Sequence, residues 1–412
     1  MKKILIYGLG KTGKALVKFC KKRNISFTTF DDRDNGDINF EDKLKNCSEI
    51  IVSPGIGLKN RNLKKAIQSG IKVISEIEFA SRFISKPIIA ITGTNGKTTT
   101  TLITYDLLKS TGLNVFLGGN IGTPLINAAN KENKYDYILI EVSSFQLQFI
   151  DSSFKPFISA ILNVSENHLD HHLDMDEYIL CKKNIFKNQS NQDYLLVSQK
   201  ELTINKINPI KINPLKNKKI YSTDNAIFAE KNKLNRKELK LYGPHNIGNI
   251  LFSLNIIAII KKIEKKQLQV IKKFAPPLHR LEKLKTKMII FNDSKSTSPQ
   301  ATEVAIKSFA EKIVLIMGGK DKGLDYSSLN KSLKRKVKLL ILFGENKFEL
   351  AKTFRDIKIY LAADLHASVK EGIKRTNTSE VLLFSPGTSS FDRYKSYSER
   401  GEEFKKYVKE LS

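Results

Sequence analysis

Cysteine is scarce in this 412-residue chain: Cys20, Cys47 and Cys181 are odd in number and widely scattered. Such usage excludes a disulfide framework and fits a reducing compartment. Long apolar runs are missing as well. The best, Ile256 to Ile260 with its flanks, is interrupted by Asn255 and stops at Lys261, short of a membrane span. Met1-Lys2-Lys3 runs straight into a strand-like segment without the pattern of a cleavable signal. There is no self-similarity at solenoid periods, and no interleaving of basic and aromatic residues of the RNA-binding kind. Acidic residues are outnumbered, 42 against 70 Lys and Arg, which leaves a net charge of +28. The lysines are spread along the whole chain, so the excess reads as a global bias. A positive field of this kind favours small anionic substrates. The expectation is a cytoplasmic monomer with no nucleic-acid partner and no membrane attachment.

What is present is the rhythm of an α/β protein. Length and a hydrophobic content of 41% imply two or three domains. Residues 1–86 alternate strand and helix patterns, with strands at Lys3–Tyr7, Phe27–Phe30, Ile50–Val52 and Val73–Ile74. A second block, 87–277, opens where Ser85-Lys86-Pro87 breaks the preceding helical pattern. It carries strands at Tyr137–Val142 and Ser159–Asn163, and a Lys/Asn-rich stretch at 199–240 that reads as short strands and loops. The third block, 278–412, follows Ala275-Pro276-Pro277, a stiff hinge-like linker. It has strands at Met288–Phe291, Lys312–Met317, Lys338–Phe343 and Glu380–Phe384.

The most informative stretch is Pro87 to Thr100, in which an apolar strand breaks into Gly93-Thr94-Asn95-Gly96 and Lys97-Thr98-Thr99 opens a helix. Free N–H groups at a helix start, next to glycines that let an anion approach, make a phosphate cradle. Lys97 would reach the terminal phosphates and Thr98 would offer its hydroxyl to Mg²⁺. A usual loop of this type has another glycine where Ile91 stands, so this is a variant. Glu141, ending the apolar run from Tyr137, is placed to hold Mg²⁺ directly or through water.

Gly8-Leu-Gly-Lys-Thr-Gly13 with Asp31-Asp32-Arg33 has the form of a dinucleotide fingerprint. NAD, a nucleotide diphosphate without nicotinamide, and an ordinary tight turn are all readings of it. The Ser53 to Ile56 and Gly118 to Pro124 stretches are glycine loops at strand ends. In Asn163 to His172 the His/Asp knot lacks the cysteines or helical His pair of a zinc site. His168 is the residue expected to face a ligand, with His171 and His172 at the surface or structural. Asn246 and Asn249 lie one helical turn apart and suit a nucleobase, and Arg280 suits phosphates. Loops at 291–299, 317–323 and 385–391 are polar and strand-terminal, which argues for a second ligand face.

As an ordered set, Gly93-Thr-Asn-Gly-Lys-Thr98, Glu141-Val-Ser-Ser, His168-Leu-Asp, Tyr178-x-x-x-Lys182, His245-Asn246, His279-Arg280 and Asn292-Asp-Ser-Lys295 resemble the Mur ligase family, the ATP-dependent amino-acid ligases of peptidoglycan synthesis. The Gly8 to Gly13 start, Glu141 to Leu147 and Ser389 to Gly401 resemble those members that join D-glutamate to UDP-N-acetylmuramoyl-L-alanine. The resemblance implies three domains: a Rossmann-like N-terminal domain, a central P-loop mononucleotide-binding domain and a C-terminal Rossmann-like α/β domain that closes on ATP. It implies an acyl-phosphate route in which Lys97, His168, Lys182, Arg280 and Lys295 are catalytic. Two Mg²⁺ ions would be held, one by Thr98 and Glu141, the other by His168 and a carbamylated Lys182. Gly93 to Thr99, Asn246, Asn249, Arg280, Asp293 and Lys295 would bind ATP. Lys11, Thr12, Asp32, Arg33, Gly55 and Asn120 would bind the UDP substrate, and Thr297, Lys322, Ser390 and Phe391 D-glutamate. Asn167 stands where the family often has an acid, and His171 where Arg is common. A dehydrogenase would leave Lys97 and Glu141 idle, and a folylpolyglutamate-type ligase would lack the UDP-binding domain. A sister Mur ligase adding another amino acid is nearer, although the Asn-Pro-Arg signature of the third-residue ligase is missing.

Overall fold

Runs such as Ile88–Thr92 and Ile313–Gly318 are apolar at nearly every position and buried at every position. That is the pattern of parallel strands covered by helices on both faces, whereas a one-sided sheet would alternate. The protein is described here from a computed structural model covering residues 3–33, 40–165, 172–199, 202 and 209–411. The chain divides into two compact units, Met1–Glu238 with Gly248–Lys272, and Leu239–Ile247 with Lys273–Ser412.

The first unit holds three sheets. The N-terminal one is parallel and four-stranded, in the order Phe27–Phe30, Lys3–Tyr7, Cys47–Val52, Lys72–Ser75. The second has six parallel strands in the order Ile210–Ile212, Tyr194–Val197, Ile158–Ile161, Ile88–Thr92, Tyr137–Glu141, Val115–Gly119. Ile88–Thr92 is therefore central, with Ile91 opposite Glu141 on one side and Thr92 opposite Ile161 on the other. Ligands of open parallel sheets bind beyond the carboxyl ends of such strands. The third sheet, Ile220–Ser222, Ala226–Ala229 and Asn232–Asn235, is antiparallel. It gives a definite form to the short strands expected between 199 and 240. The apolar run around Ile256 belongs to the helix Pro244–Ile260, whose Ile250, Leu251, Leu254, Ile256 and Ile257 are all buried. A mostly apolar helix buried along its middle is a core helix when it is too short to span a bilayer. No described helix is long and apolar enough to cross a membrane.

The second unit is built on one six-stranded sheet. Its order is Glu282–Lys283, Ile289–Asn292, Val381–Phe384, Ile313–Gly318, Val337–Phe343, Ile359–Leu361, and only the first strand is antiparallel. Alternation along Ile313–Gly318 sends Ile313, Leu315 and Met317 into one core and Val314 and Ile316 into the other. The predicted strands recur with ends shifted by up to three residues, the largest shift being at Cys47–Val52, expected to begin at Ile50. Val115–Gly119 and Tyr194–Val197 were not anticipated. The first ends in two glycines, which disguised a strand as a turn.

Candidate active site

At the end of Ile88–Thr92 the chain turns through Gly93 to Gly96 into the helix Lys97–Ser110. Gly96 caps that helix with φ +85°, and a Cβ there would collide with Asn249 Oδ1, so only glycine suits the position. The loop is pinned to the neighbouring strand end. Thr94 N donates to Asn163 O (2.9 Å), Asn95 N to Asn163 Oδ1 (2.9 Å), and Asn163 Nδ2 to Asn95 O (3.0 Å). Thr94 Oγ1 sits 3.0 Å from the Tyr178 hydroxyl. Lys97 folds over the loop, its Nζ donating to Gly93 O (2.8 Å) and Thr94 O (2.9 Å). Thr98 is half-buried and Thr99 buried in the first helical turn. Backbone amides, a helix N-terminus and an ammonium thus share one mouth, which is what a polyphosphate requires.

Glu141 stands on the adjacent strand and is 1% exposed. Its Oε1 accepts from Asn120 Nδ2 (2.6 Å), whereas Oε2 is buried with no hydrogen-bond partner among the described residues. A buried carboxylate oxygen left unmatched is costly, and a hard cation would satisfy it. Glu141 and the Thr98 hydroxyl are the oxygen donors that Mg²⁺ takes, so these residues fit the ion.

Lys182 is on the helix Met175–Lys183 and is 1% exposed, its Nζ 4.5 Å from the centre of the Tyr178 ring. Burial, with the Lys97 charge added, pulls this ammonium well below its ordinary range, which favours the neutral amine. His168, expected to be its partner, lies outside the described residues, as does His171. His172 is described and fully buried, with Nε2 2.9 Å from Ser144 Oγ.

The glycine loop of the first sheet is equally tight: a Cβ on Gly13 would run into Gly8 O. Asp31 secures it, accepting from Leu9 N (2.6 Å) and pairing with Arg33. Those bonds hold its carboxyl far below the usual carboxylate range. Asp32 is exposed and accepts from Tyr7 Oη, Asn60 Nδ2 and Asn62 Nδ2. The sequence offers two adjacent acids and no way to tell which one binds the loop. Lys11 donates to Gly122 O, bringing the first glycine loop to the Gly118–Pro124 loop that also carries Asn120. Thr12 is in the first turn of the helix Lys11–Lys22, and Gly55 is in an exposed turn after Cys47–Val52, with open space around it.

In the second unit the polar loops gather at one end of the sheet. Buried Asp293 accepts from Leu281 N (3.1 Å), Ser296 Oγ (2.5 Å) and Ser385 Oγ (2.9 Å). Its carboxyl is nevertheless pushed up to about 6, because burial outweighs those bonds and the Arg280 charge. Asn246 Nδ2 donates to Tyr242 O (2.6 Å). Lys295 N donates to His279 O, and its Nζ is 5.7 Å from the Tyr397 ring centre. His279 and Leu281, either side of Arg280, have φ of +61° and +43°, strained values that cluster at functional sites. Thr297, Lys322 and Phe391 are exposed, while Ser390 is buried. One residue here escaped the sequence reading: Arg400, fully buried, donates to Ser294 O, Thr388 O and Ser389 O and so ties the 294 loop to the 388 loop. The sequence shows it only as one position in the Ser389 to Gly401 pattern.

Comparison with known proteins identifies the family. Residues 91–257 match the Mur ligase middle domain, and residues 279–387 match the Mur ligase, glutamate ligase domain. The chain is 36% identical to the UDP-N-acetylmuramoylalanine--D-glutamate ligase of Aquifex aeolicus, over 98% of each chain. Among solved structures it is similar to a pseudomurein peptide ligase type C from Methanothermus fervidus (TM-score 0.64, 16% identity, all of both chains). It is also similar to the MurF ligase of Thermotoga maritima in complex with ADP (TM-score 0.63, 16% identity, 99% of this chain and 94% of that one).

Proposed function

This chain belongs to the Mur ligase family, and we propose that it joins D-glutamate to UDP-N-acetylmuramoyl-L-alanine, with cleavage of ATP, in peptidoglycan precursor synthesis. The observation that carries the reading is the Gly93–Thr99 loop beside the buried, half-satisfied carboxylate of Glu141. The full-length likeness to a D-glutamate ligase supports the choice of amino acid.

The chemistry is the activation of a carboxylate and its capture by an amine. The L-alanyl carboxylate oxygen attacks the γ-phosphorus of ATP, ADP leaves, and an acyl phosphate forms. The D-glutamate amine attacks the acyl carbon, phosphate leaves, the nitrogen gives up a proton to solvent, and an amide remains. Bringing anions together demands charge neutralisation and alignment more than a protein nucleophile. Lys97 and the loop amides neutralise the β- and γ-phosphates. Thr98 and Glu141 would hold Mg²⁺, which supplies Lewis-acid charge at the phosphates. Lys182, whose ammonium form burial and the Lys97 charge disfavour, would be suited to take up CO₂: its nitrogen bonds to carbon, its proton goes to solvent, and an anionic oxygen donor results. With His168 it would hold a second Mg²⁺. Arg280 and Lys295 contribute positive charge on the nucleotide, and Asn246, Asn249 and Asp293 bind adenosine. Lys11, Thr12, Asp32, Arg33 and Gly55 hold the UDP part, with Asn120 towards the sugar. Thr297, Lys322, Ser390 and the backbone at Phe391 receive D-glutamate. The layout is three domains, 1–86, 87–277 and 278–412, in a cytoplasmic monomer.

The test is phosphate release from ATP with UDP-N-acetylmuramoyl-L-alanine and, in turn, D-glutamate, L-glutamate, L-alanine or no amino acid. Release only with D-glutamate, accompanied by the amide product, is expected. Release with another amino acid would move the chain to a sister step, and no release with any would overturn the reading.

A further inference from the structure

The helix that carries Lys182 also carries two members of a second cluster of metal-type ligands, which the ligase reaction does not use. His172, Glu177 and Cys181 each offer one ligand atom, and these atoms all lie within 4.8 Å of one another. His172 Nδ1 is 4.0 Å from Cys181 Sγ and 3.7 Å from Glu177 Oε1. Glu177 and Cys181 are one turn apart on the helix Met175–Lys183, so the fold fixes them on one side. The other histidine nitrogen, Nε2, is 2.9 Å from Ser144 Oγ. With Nε2–H donating to that hydroxyl, the Nδ1 lone pair is directed at the thiol and carboxylate. This is how a metal-binding histidine is ordinarily oriented, by an oxygen on its far nitrogen. The carboxylate is braced too, with Gln148 Nε2 donating to Oε1 (2.6 Å) and Leu173 N to Oε2 (2.5 Å).

We propose that His172, Glu177 and Cys181 form a binding site for a thiophilic divalent cation of the zinc type. Zinc bonds of about 2.0 to 2.3 Å in tetrahedral array put ligand atoms roughly 3.5 Å apart. The imidazole therefore needs to draw in by about 0.2 Å towards the carboxylate and about 0.5 Å towards the sulfur, and those two towards each other by up to about 1.3 Å, with water as fourth ligand. Sulfur and imidazole select zinc over Mg²⁺, which prefers all-oxygen sites. The site is thus chemically distinct from that at Thr98 and Glu141. Glu177, whose side chain is 16% exposed, gives the cation its entry from solvent. On binding, the thiol proton passes to solvent and a sulfur–metal bond forms. The bound cation would clamp the helix next to Lys182 against the Ser144 turn.

The experiment is equilibrium dialysis of the whole chain against Zn²⁺ in millimolar Mg²⁺, with Cd²⁺ as an ultraviolet probe of sulfur ligation. One Zn²⁺ per chain is expected, together with a thiolate-to-cadmium absorption. Cys181→Ser should abolish the absorption, and Glu177→Gln should weaken zinc binding by at least about tenfold. Both variants are to be checked for native circular dichroism, and the second leaves the thiol in place should the first misfold. Absence of zinc binding, displacement by Mg²⁺, or a cadmium absorption that survives Cys181→Ser through Cys20 or Cys47 would each overturn the proposal. Because these readouts are of binding, they are independent of which amino acid the enzyme ligates.

Discussion

A lysine that is fully buried within reach of a second lysine's field is an unusual thing for a chain to keep. Lys182 would be a poor phosphate ligand as an ammonium, since Lys97 already repels it and burial penalises its charge. As the proposed carbamate it would carry the opposite charge, so that the repulsion from Lys97 would become attraction and a bound Mg²⁺ would offset the cost of burying the charge. Lys182→Ala should therefore slow the ligase by about 100-fold or more, the scale of losing one transition-state electrostatic partner. Short carboxylic acids, entering the vacated space, should restore part of the rate, and Lys182→Arg should not be rescued. Steady-state rates with and without acetate check this, and an unaltered rate in Lys182→Ala would sink it. At this scale the sequence was legible where chemistry and position coincide, as in Lys97 after a glycine turn and Glu141 at a strand end. It was not legible where neighbours share a chemistry. Asp31 and Asp32 differ only in which one points at Leu9 N, and the burial of His172 against Ser144 depends on backbone rotation that no pattern reports.

At the level of elements, the short helix Glu76–Ser81 shows how position divides the fates of two like residues. Ser75 Oγ caps it at Glu78 N (3.3 Å), and both glutamates lie in its first turn, where negative charge is favoured. Glu78 receives three backbone donors, from Ser152, Ser153 and Phe154. Glu76, equally buried, receives only Ile126 N, and its Oε2 has no partner among the described residues. Burial pushes its carboxyl up to about 7 from 4.5. The folded state thus binds a proton between those pH values that the unfolded chain has released. Stability from Glu76 is complete below about pH 4.5 and falls as pH rises to about 7, by roughly 3 kcal/mol at 1.36 kcal/mol per pH unit. Glu76→Gln keeps the acceptor for Ile126 and removes the charge. The variant should be the more stable at pH 8, by up to about 3 kcal/mol, and should lose the slope between pH 5 and 8. Urea midpoints across that range test this, and parallel curves for the two proteins would refute it. Elements themselves were readable because a strand buried on both faces is an uninterrupted apolar word, as in Ile4 to Tyr7. Val115–Gly119 was hidden since its closing glycines, one of them at φ +91° and close against Glu141 O, look like a turn.

For the whole molecule the readable quantity was rhythm. Alternating strands and helices announced separate parallel sheets, and the sheets are there. What rhythm cannot report is that Ile6, Phe79, Ile138 and Phe154 share one core, because that depends on how helices of one sheet pack on the next. Charge is the other whole-molecule property, and it acts at a distance. Exposed ion pairs such as Lys45–Asp42, Lys334–Asp356 and Lys352–Glu349 are screened by solvent and do little for the fold. The excess of +28 is instead a long-range field. Both proposed nucleotide substrates are polyanions, and the field raises their encounter rate until salt screens it, over about 10 Å at 0.1 M. Steering affects capture and leaves the bound complex alone. From about 0.05 to 0.5 M potassium chloride, kcat/KM for the UDP-linked substrate should therefore fall severalfold while kcat holds. For D-glutamate, which carries less charge, the fall should be smaller. Sucrose at matched osmolality should leave both constants unchanged. Equal salt dependence for the two substrates would mean that the excess lysines serve no steering role, and that only the local charges at Lys97, Arg280 and Lys295 matter to binding.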